Sequence, residues 1–437
     1  MFVRKLHKSA KAVIQIAAIL AMLVTSLLWV GRSQAGSTSG MRAEAVSSGT
    51  NAIIGWNAIM LRTVVTNGQQ SPPASFVYGS YVQAAVYNAV VAIEGGYQAY
   101  ESNLPRNANA SLEAAVATAA HDVLVHYFPL QQAALDADYA ASLAAIDDGT
   151  AESAGIQLGA AAADELIALR AGDGLNANIG FTMPAPATGV WQLPTGVNPL
   201  VPWMSRLQPF MLTSPQQFRP GPPPDLSSAE WAEQFNETRL YGHRDSQVRT
   251  AEQTTVARFW SSIPLTQYNL AYQQIASTRQ LSALDTARLM AMGNMVGADA
   301  LIGCFDAKYH YLFWRPAFAI PQGDNDGNPN TSGDPGFVPL LGTPAHPEYP
   351  AAHGCATAAQ AEVFAMFLGT QHIGVTIPST VAGITARYYA SANDLTEEII
   401  DARVWGGIHY RGSGVAGANL GRKVAHWTLK RYFVPTN

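Results

Sequence analysis

Lys308-Tyr-His-Tyr-Leu-Phe-Trp-Arg315-Pro316 places two fixed cations seven residues apart at the end of an apolar, helix-forming segment. Seven residues is two helical turns, so on a continuous helix both side chains point from one face. Pro316 disfavours further helix and leaves Arg315 near a helix end. Working outward, Tyr349-Pro350-Ala-Ala-His353-Gly354 and Arg403-Val-Trp-Gly-Gly-Ile-His409 complete a set of three cations and two histidines. Arg403 and His409 would stand about 120° apart on an unbroken helix. Gly406-Gly407 between them supplies a bend that lets both face one site.

Such a set suits a small tetrahedral oxyanion, phosphate or vanadate. Two guanidinium forks and one ammonium surround and neutralise it. The two histidines then have separate tasks, one bonding the central atom and the other moving protons. Any one of these residues alone reads as a solvated face or a satisfied core group. The ordered set reads otherwise, because the 437-residue chain has only 26 Lys+Arg and 10 His to place.

The rest of the chain excludes several classes. A net charge of -5 with no basic block argues against a nucleic-acid partner. No Gly-rich phosphate loop, zinc finger or serine elbow is present. Arg4, Lys5, Lys8 and Lys11 precede an apolar run over residues 12–30, followed by Ser33-Gln34-Ala35. That pattern predicts export through a signal over residues 1–35, either cleaved or kept as an anchor. The absence of a second long apolar span speaks against a multi-pass membrane domain. Cys304 and Cys355 are the only cysteines, and they fit either a disulfide or two buried thiols.

Apolar spacing predicts helices over 52–65, 76–100, 110–127, 131–148, 151–172, 229–239, 250–262, 266–281, 284–313, 354–368, 380–406 and 413–431. Strand signals are sparse, the best being residues 373–377. A Pro/Gly-rich stretch over about 180–228 holds Trp191, Trp203 and Pro222-Pro223-Pro224, and reads as a linker or as an ordered segment wrapping the helices. The expected fold is all-α: two packed helical bundles with long Pro/Gly-rich loops and the active site in the C-terminal bundle. The expected division is 1–35, a helical region over 36–228, and a C-terminal bundle over 229–437.

The pattern Lys-x6-Arg-Pro, then the Pro-x-x-His of 350–353, then Arg-x5-His resembles the signature shared by vanadium-dependent haloperoxidases and type 2 phosphatidic-acid phosphatases. The run 308–320, Pro344-Ala-His-Pro-Glu-Tyr-Pro350 and Ile408-His-Tyr-Arg411 resemble the haloperoxidase branch, and that resemblance favours the wrapping segment. It implies that Lys308, Arg315 and Arg403 hold the equatorial oxygens of vanadate, with Lys308 also polarising bound peroxide. It further implies that His409 bonds vanadium, and that His353 is the acid–base residue opposite. The implied reaction oxidises halide with hydrogen peroxide to hypohalous acid, which acts on a small organic substrate.

Three departures qualify that resemblance. Ala351-Ala352 stands where the family has Ser-Gly, so one hydroxyl contact is missing, while Ala352 can still offer a backbone N–H. Ala402 replaces a family serine. Ser413 stands four residues after His409, where the phosphatases have an aspartate that orients the histidine; its absence counts against phosphatase chemistry. His346, seven residues before His353, resembles the algal bromoperoxidases and points to bromide. An exported acid phosphatase acting through a phosphohistidine, and a non-catalytic oxyanion-binding protein, are the alternatives.

Overall fold

The computed structural model describes residues 47–436. The proposed export signal lies outside the described residues. Helix α1 (Ser48–Leu61) starts where the Ser47 hydroxyl accepts from the Thr50 N–H, and runs into a π-turn over Arg62–Asn67. Two prolines open α2 (Pro72–Glu94), where fixed φ and a missing N–H do no harm, and Gly95 at φ 73° ends it. Then come α3 (Leu112–Tyr127), α4 (Gln132–Leu143) and α5 (Thr150–Arg170). Helix α2 is buried on nearly every side, with α3 and α5 on one flank.

The C-terminal half adds α6 (Ala229–Gly242), α7 (Ala251–Phe259), α8 (Pro264–Thr278) and the long α9 (Ala283–Tyr311). A short α10 (Pro316–Ala319) follows, then α11 (Ala352–Leu368), α12 (Ala392–Trp405) and α13 (Arg411–Leu429). Helix α9 joins the halves, packing on α2 from one side and on α11 and α13 from the other. Its burial is almost complete from Thr286 to Lys308, in keeping with a largely apolar sequence in which the buried Asp299 and Lys308 are held by hydrogen bonds.

The segment before α6 is an ordered wrap. Its Trp191 is fully buried, and its backbone is tied to the core by Trp191 N–H to Leu312 O at 2.7 Å and Leu200 N–H to Ala345 O at 2.7 Å. Asp299 on α9 accepts the N–H groups of Phe210, Met211 and Leu212 at 2.7, 2.8 and 3.1 Å. Burial pushes this carboxyl up to about 6, while the three N–H bonds pull it down. Arg219 pairs with Asp306 at 2.7 Å further along.

One helix boundary needs correction. The helix expected over 380–406 is helical only over Ala392–Trp405. Gly383 at φ 77° interrupts the earlier part, and Arg387–Tyr389 pairs antiparallel with Val375–Ile377 as a two-stranded ribbon. Helix α12 starts instead at a capping box between Ser391 and Asp394. Among the described residues one helix, Pro72–Glu94, is long and apolar enough to cross a membrane, but it is packed wholly inside the fold. Cys304 and Cys355 are buried, unbridged thiols close enough to hydrogen-bond.

Candidate active site

Lys308 and Arg315 do not share a helix face. Helix α9 ends at Tyr311, Leu312 takes a left-handed φ of 50°, and Arg315 stands in extended backbone as the N-cap of α10. The restriction that Pro316 places on its neighbour accounts for that extended conformation. The two cations still converge, because both donate to backbone carbonyls of the loop 344–350. Lys308 Nζ donates to the carbonyls of Pro347 and Glu348 at 2.8 and 2.9 Å. Arg315 donates through Nε to His346 O at 2.9 Å and through NH1 to Ile408 O at 2.7 Å.

The bend between Arg403 and His409 is where the glycine pair led it to be expected. Helix α12 ends at Trp405, and Gly407 adopts φ 72°, which turns the chain so that Arg403 and His409 line one cavity. Arg403 NH1 donates to Trp260 O at 2.7 Å, and its Nε has no hydrogen-bond partner among the described residues. Trp260 is itself held through its indole N–H on Glu398 at 2.9 Å.

The cavity has a volume of about 120 Å³. Phe76, Leu200, Leu301, Phe305 and Pro344 form an apolar wall, and His346, Ala352, His353, Arg403 and His409 form the polar one. Lys308 and Arg315 stand behind that polar wall, fully buried. Arg315 reaches forward to both ring systems, with NH1 3.1 Å from His409 Nε2 and NH2 2.8 Å from His346 Nδ1. His353 sits in the first turn of α11, its Nε2 sealed and without a hydrogen-bond partner. Ala352, the first residue of that helix, carries an N–H that no intrahelical carbonyl can take.

Glu348 is the residue that motif reading passed over. Its carboxylate is fully buried and accepts from His409 Nδ1 at 2.8 Å, from the Tyr410 N–H at 3.0 Å and from the Ser413 hydroxyl. A lone acid among prolines, two residues after His346, is the only trace it leaves in the sequence. With an acceptor at Nδ1 and a donor at Nε2, His409 carries its proton on Nδ1 and keeps its Nε2 lone pair.

Burial and the surrounding cations set the electrostatics. Lys308 is pushed down to about 8, Arg315 to about 10 and Arg403 to about 9, in each case mainly by burial. Burial first, then the neighbouring cations, hold His346, His353 and His409 well below the ordinary imidazole range, so all three are neutral near pH 7. Burial also raises Glu348, against the pull of Ser413, Arg315 and Lys308. Among the described residues no carboxylate forms an ion pair with Lys308, Arg315 or Arg403.

Residues 288–435 match the family described as the VCPO second helical-bundle domain. The fold is similar to that of a solved bacterial vanadium-dependent iodoperoxidase, with TM-score 0.73 and 21% identity over 89% of this chain and 96% of that one. It is also similar to a bacterial vanadium-dependent chloroperoxidase solved in holo and apo form. Both have TM-score 0.67 and 16% identity, covering 83% and 82% of this chain and 92% and 94% of those. No curated protein matches by sequence.

Proposed function

We propose that this chain, which carries the VCPO second helical-bundle domain and folds as the vanadium haloperoxidases do, is a vanadate-dependent haloperoxidase. It would oxidise halide with hydrogen peroxide to hypohalous acid. One observation carries the reading: Arg403 lines the cavity and Lys308 and Arg315 stand behind its polar wall, all three buried, and among the described residues the one carboxylate bonded to that wall is spent on His409. Two positive charges are left unmatched, together with the unpartnered Nε2 of His353 and Nε of Arg403. Burying such charge is unfavourable unless an anion completes the site, and a tetrahedral oxyanion of charge near minus two fits it.

Vanadate, when bound, supplies a Lewis-acid centre that activates hydrogen peroxide toward halide. The residues of this chain have distinct tasks around it. Lys308, Arg315 and Arg403 hold oxygens and neutralise charge with donors fixed before reaction. The Ala352 N–H adds a helix-terminal donor. His409 offers the Nε2 lone pair as the ligand to vanadium. His353, neutral at its sealed Nε2, accepts and returns protons. The phenyl rings and prolines opposite exclude water and leave room for a small co-reactant, with the organic substrate halogenated by the product.

Bromide is the proposed halide, on the position of His346 seven residues before His353 and its place on the cavity wall. Export is proposed from the basic and apolar N-terminal pattern of residues 1–35.

A second reading has an observation in its favour. The Glu348–His409 pair is the arrangement of an activated nucleophile, so the missing aspartate at Ser413 no longer counts against an acid phosphatase. Paired assays separate the two. A haloperoxidase brominates monochlorodimedone only with vanadate, peroxide and bromide together. Hydrolysis of p-nitrophenyl phosphate that vanadate inhibits, with no bromination, establishes the phosphatase. Stabilisation by phosphate or vanadate with neither activity leaves an oxyanion-binding protein.

A further inference from the structure

We propose that Glu348 is the positioning residue of the oxyanion site, and that it gives His409 its preference for an anion that bonds to nitrogen over one that is merely held by charge. The inference rests on the vanadate reading above and assigns a task to a residue outside the set of anion-facing groups.

Glu348 ties together the end of α9, the segment that carries Arg315 and the segment from His409 into α13. Its carbonyl accepts from Lys308 Nζ at 2.9 Å, and its N–H donates to Phe313 O at 2.9 Å. Its Oε1 accepts from His409 Nδ1 at 2.8 Å and from the Tyr410 N–H at 3.0 Å. Its Oε2 accepts from Ser413 Oγ in the first turn of α13. The imidazole plane is thereby fixed from behind, and the ring cannot turn without breaking the Nδ1 bond. A carboxylate behind an imidazole also makes the far nitrogen a better donor, the usual role of the partner behind a metal-bound histidine.

Charge alone predicts something different. Among the described residues Glu348 is the one carboxylate bonded to the histidines of a site that Lys308, Arg315 and Arg403 make cationic, and a buried carboxylate there weakens the field felt by any anion. If Glu348 only balanced charge, removing it would tighten all oxyanions alike. If it positions and polarises His409, removing it must weaken the anion that bonds to Nε2 and spare or strengthen the one that does not. Vanadate expands its coordination and bonds to imidazole, whereas sulfate is held only by hydrogen bonds and charge.

The test is equilibrium binding of vanadate and of sulfate to the full-length wild type and to Glu348→Gln, a near-isosteric change that keeps acceptors for His409 and Tyr410. The expected result is vanadate affinity weakened about 10–100-fold, with sulfate bound as tightly as before or more tightly. Equal weakening of both anions, or unchanged vanadate affinity, overturns the proposal. Should Glu348→Gln fail to fold, Glu348→Ser is compared with Glu348→Ser/Ser413→Asp, since Ser413 touches the same carboxylate. Recovery of the vanadate preference in the double variant supports positioning by a carboxylate, and equal loss in both overturns it. A wild type that binds sulfate but not vanadate overturns the vanadate reading itself, and this inference with it.

Discussion

Gly242 and Gly407 meet backbone to backbone: a Cβ on Gly407 would fall 2.3 Å from Gly242 O, and one on Gly242 would fall 2.4 Å from the Gly407 Cα. This contact pins the end of α6 against the turn that separates Arg403 from His409. Gly407 also needs its φ of 72°. Gly407→Ala should therefore destabilise the fold by about 2–4 kcal/mol, from the left-handed strain and the overpacked contact together. It should also weaken oxyanion binding by displacing His409. Denaturant unfolding and calorimetric titration check this, and wild-type stability in the variant would contradict it.

Arg403 has no carboxylate partner among the described residues, so its charge burdens the fold until an anion arrives. Arg403→Met, which keeps the apolar stem, should raise stability by about 1–3 kcal/mol in anion-free buffer. The same change should remove most of the thermal shift given by phosphate or vanadate. Melting curves with and without each anion measure both effects. A variant less stable than wild type in anion-free buffer would show that the Trp260 carbonyl bond outweighs the burial of the charge.

Much of this site was legible because it is made of residues whose chemistry is rare in an apolar chain. The glycines between Arg403 and His409 place the bend between them, whereas the tryptophans of the segment over about 180–228 leave a linker open beside an ordered wrap, and the resemblance favours the wrap. Three things were hidden. The reversal at Leu312, where φ is 50°, carries no glycine or asparagine to announce it. The first strand of the ribbon, Val375–Ile377, falls inside the weak signal at 373–377, but its partner Arg387–Tyr389 is too short to show a period and lies inside an expected helix. The partnership of Glu348 with His409 joins positions 61 apart, which no local spacing can reveal.

Acid should destabilise the protein through its buried histidines. His346 and His353 are held well below the ordinary imidazole range, chiefly by burial, while in the unfolded chain each titrates near 6.5. The unfolded state therefore binds protons that the folded state refuses. The stability is intact above about pH 6.5 and is lost as pH falls below it toward the depressed folded values. For the two groups the slope approaches about 2.7 kcal/mol per pH unit. Denaturant midpoints from pH 7.5 to 5 check the sign, and a slope smaller by about 2.7 kcal/mol per pH unit in the double variant His346→Gln/His353→Gln, with the buried His409 left to titrate, would assign it.

The two histidines facing the anion should part company on substitution. His353→Gln should lose turnover by about 100-fold or more while still binding vanadate. His409→Ala should lose vanadate binding and activity together. Steady-state halide oxidation alongside equilibrium dialysis separates the outcomes, and full turnover in either variant would mean that the roles are misassigned.

The most direct measurement is calorimetric titration of vanadate into the purified protein and into His409→Ala. One saturable site per chain is expected in the wild type, with sulfate competing for it, and no site of comparable affinity in the variant. Absence of binding in the wild type, or binding that His409→Ala leaves intact, would contradict a site in which buried cations gather a tetrahedral anion onto that imidazole.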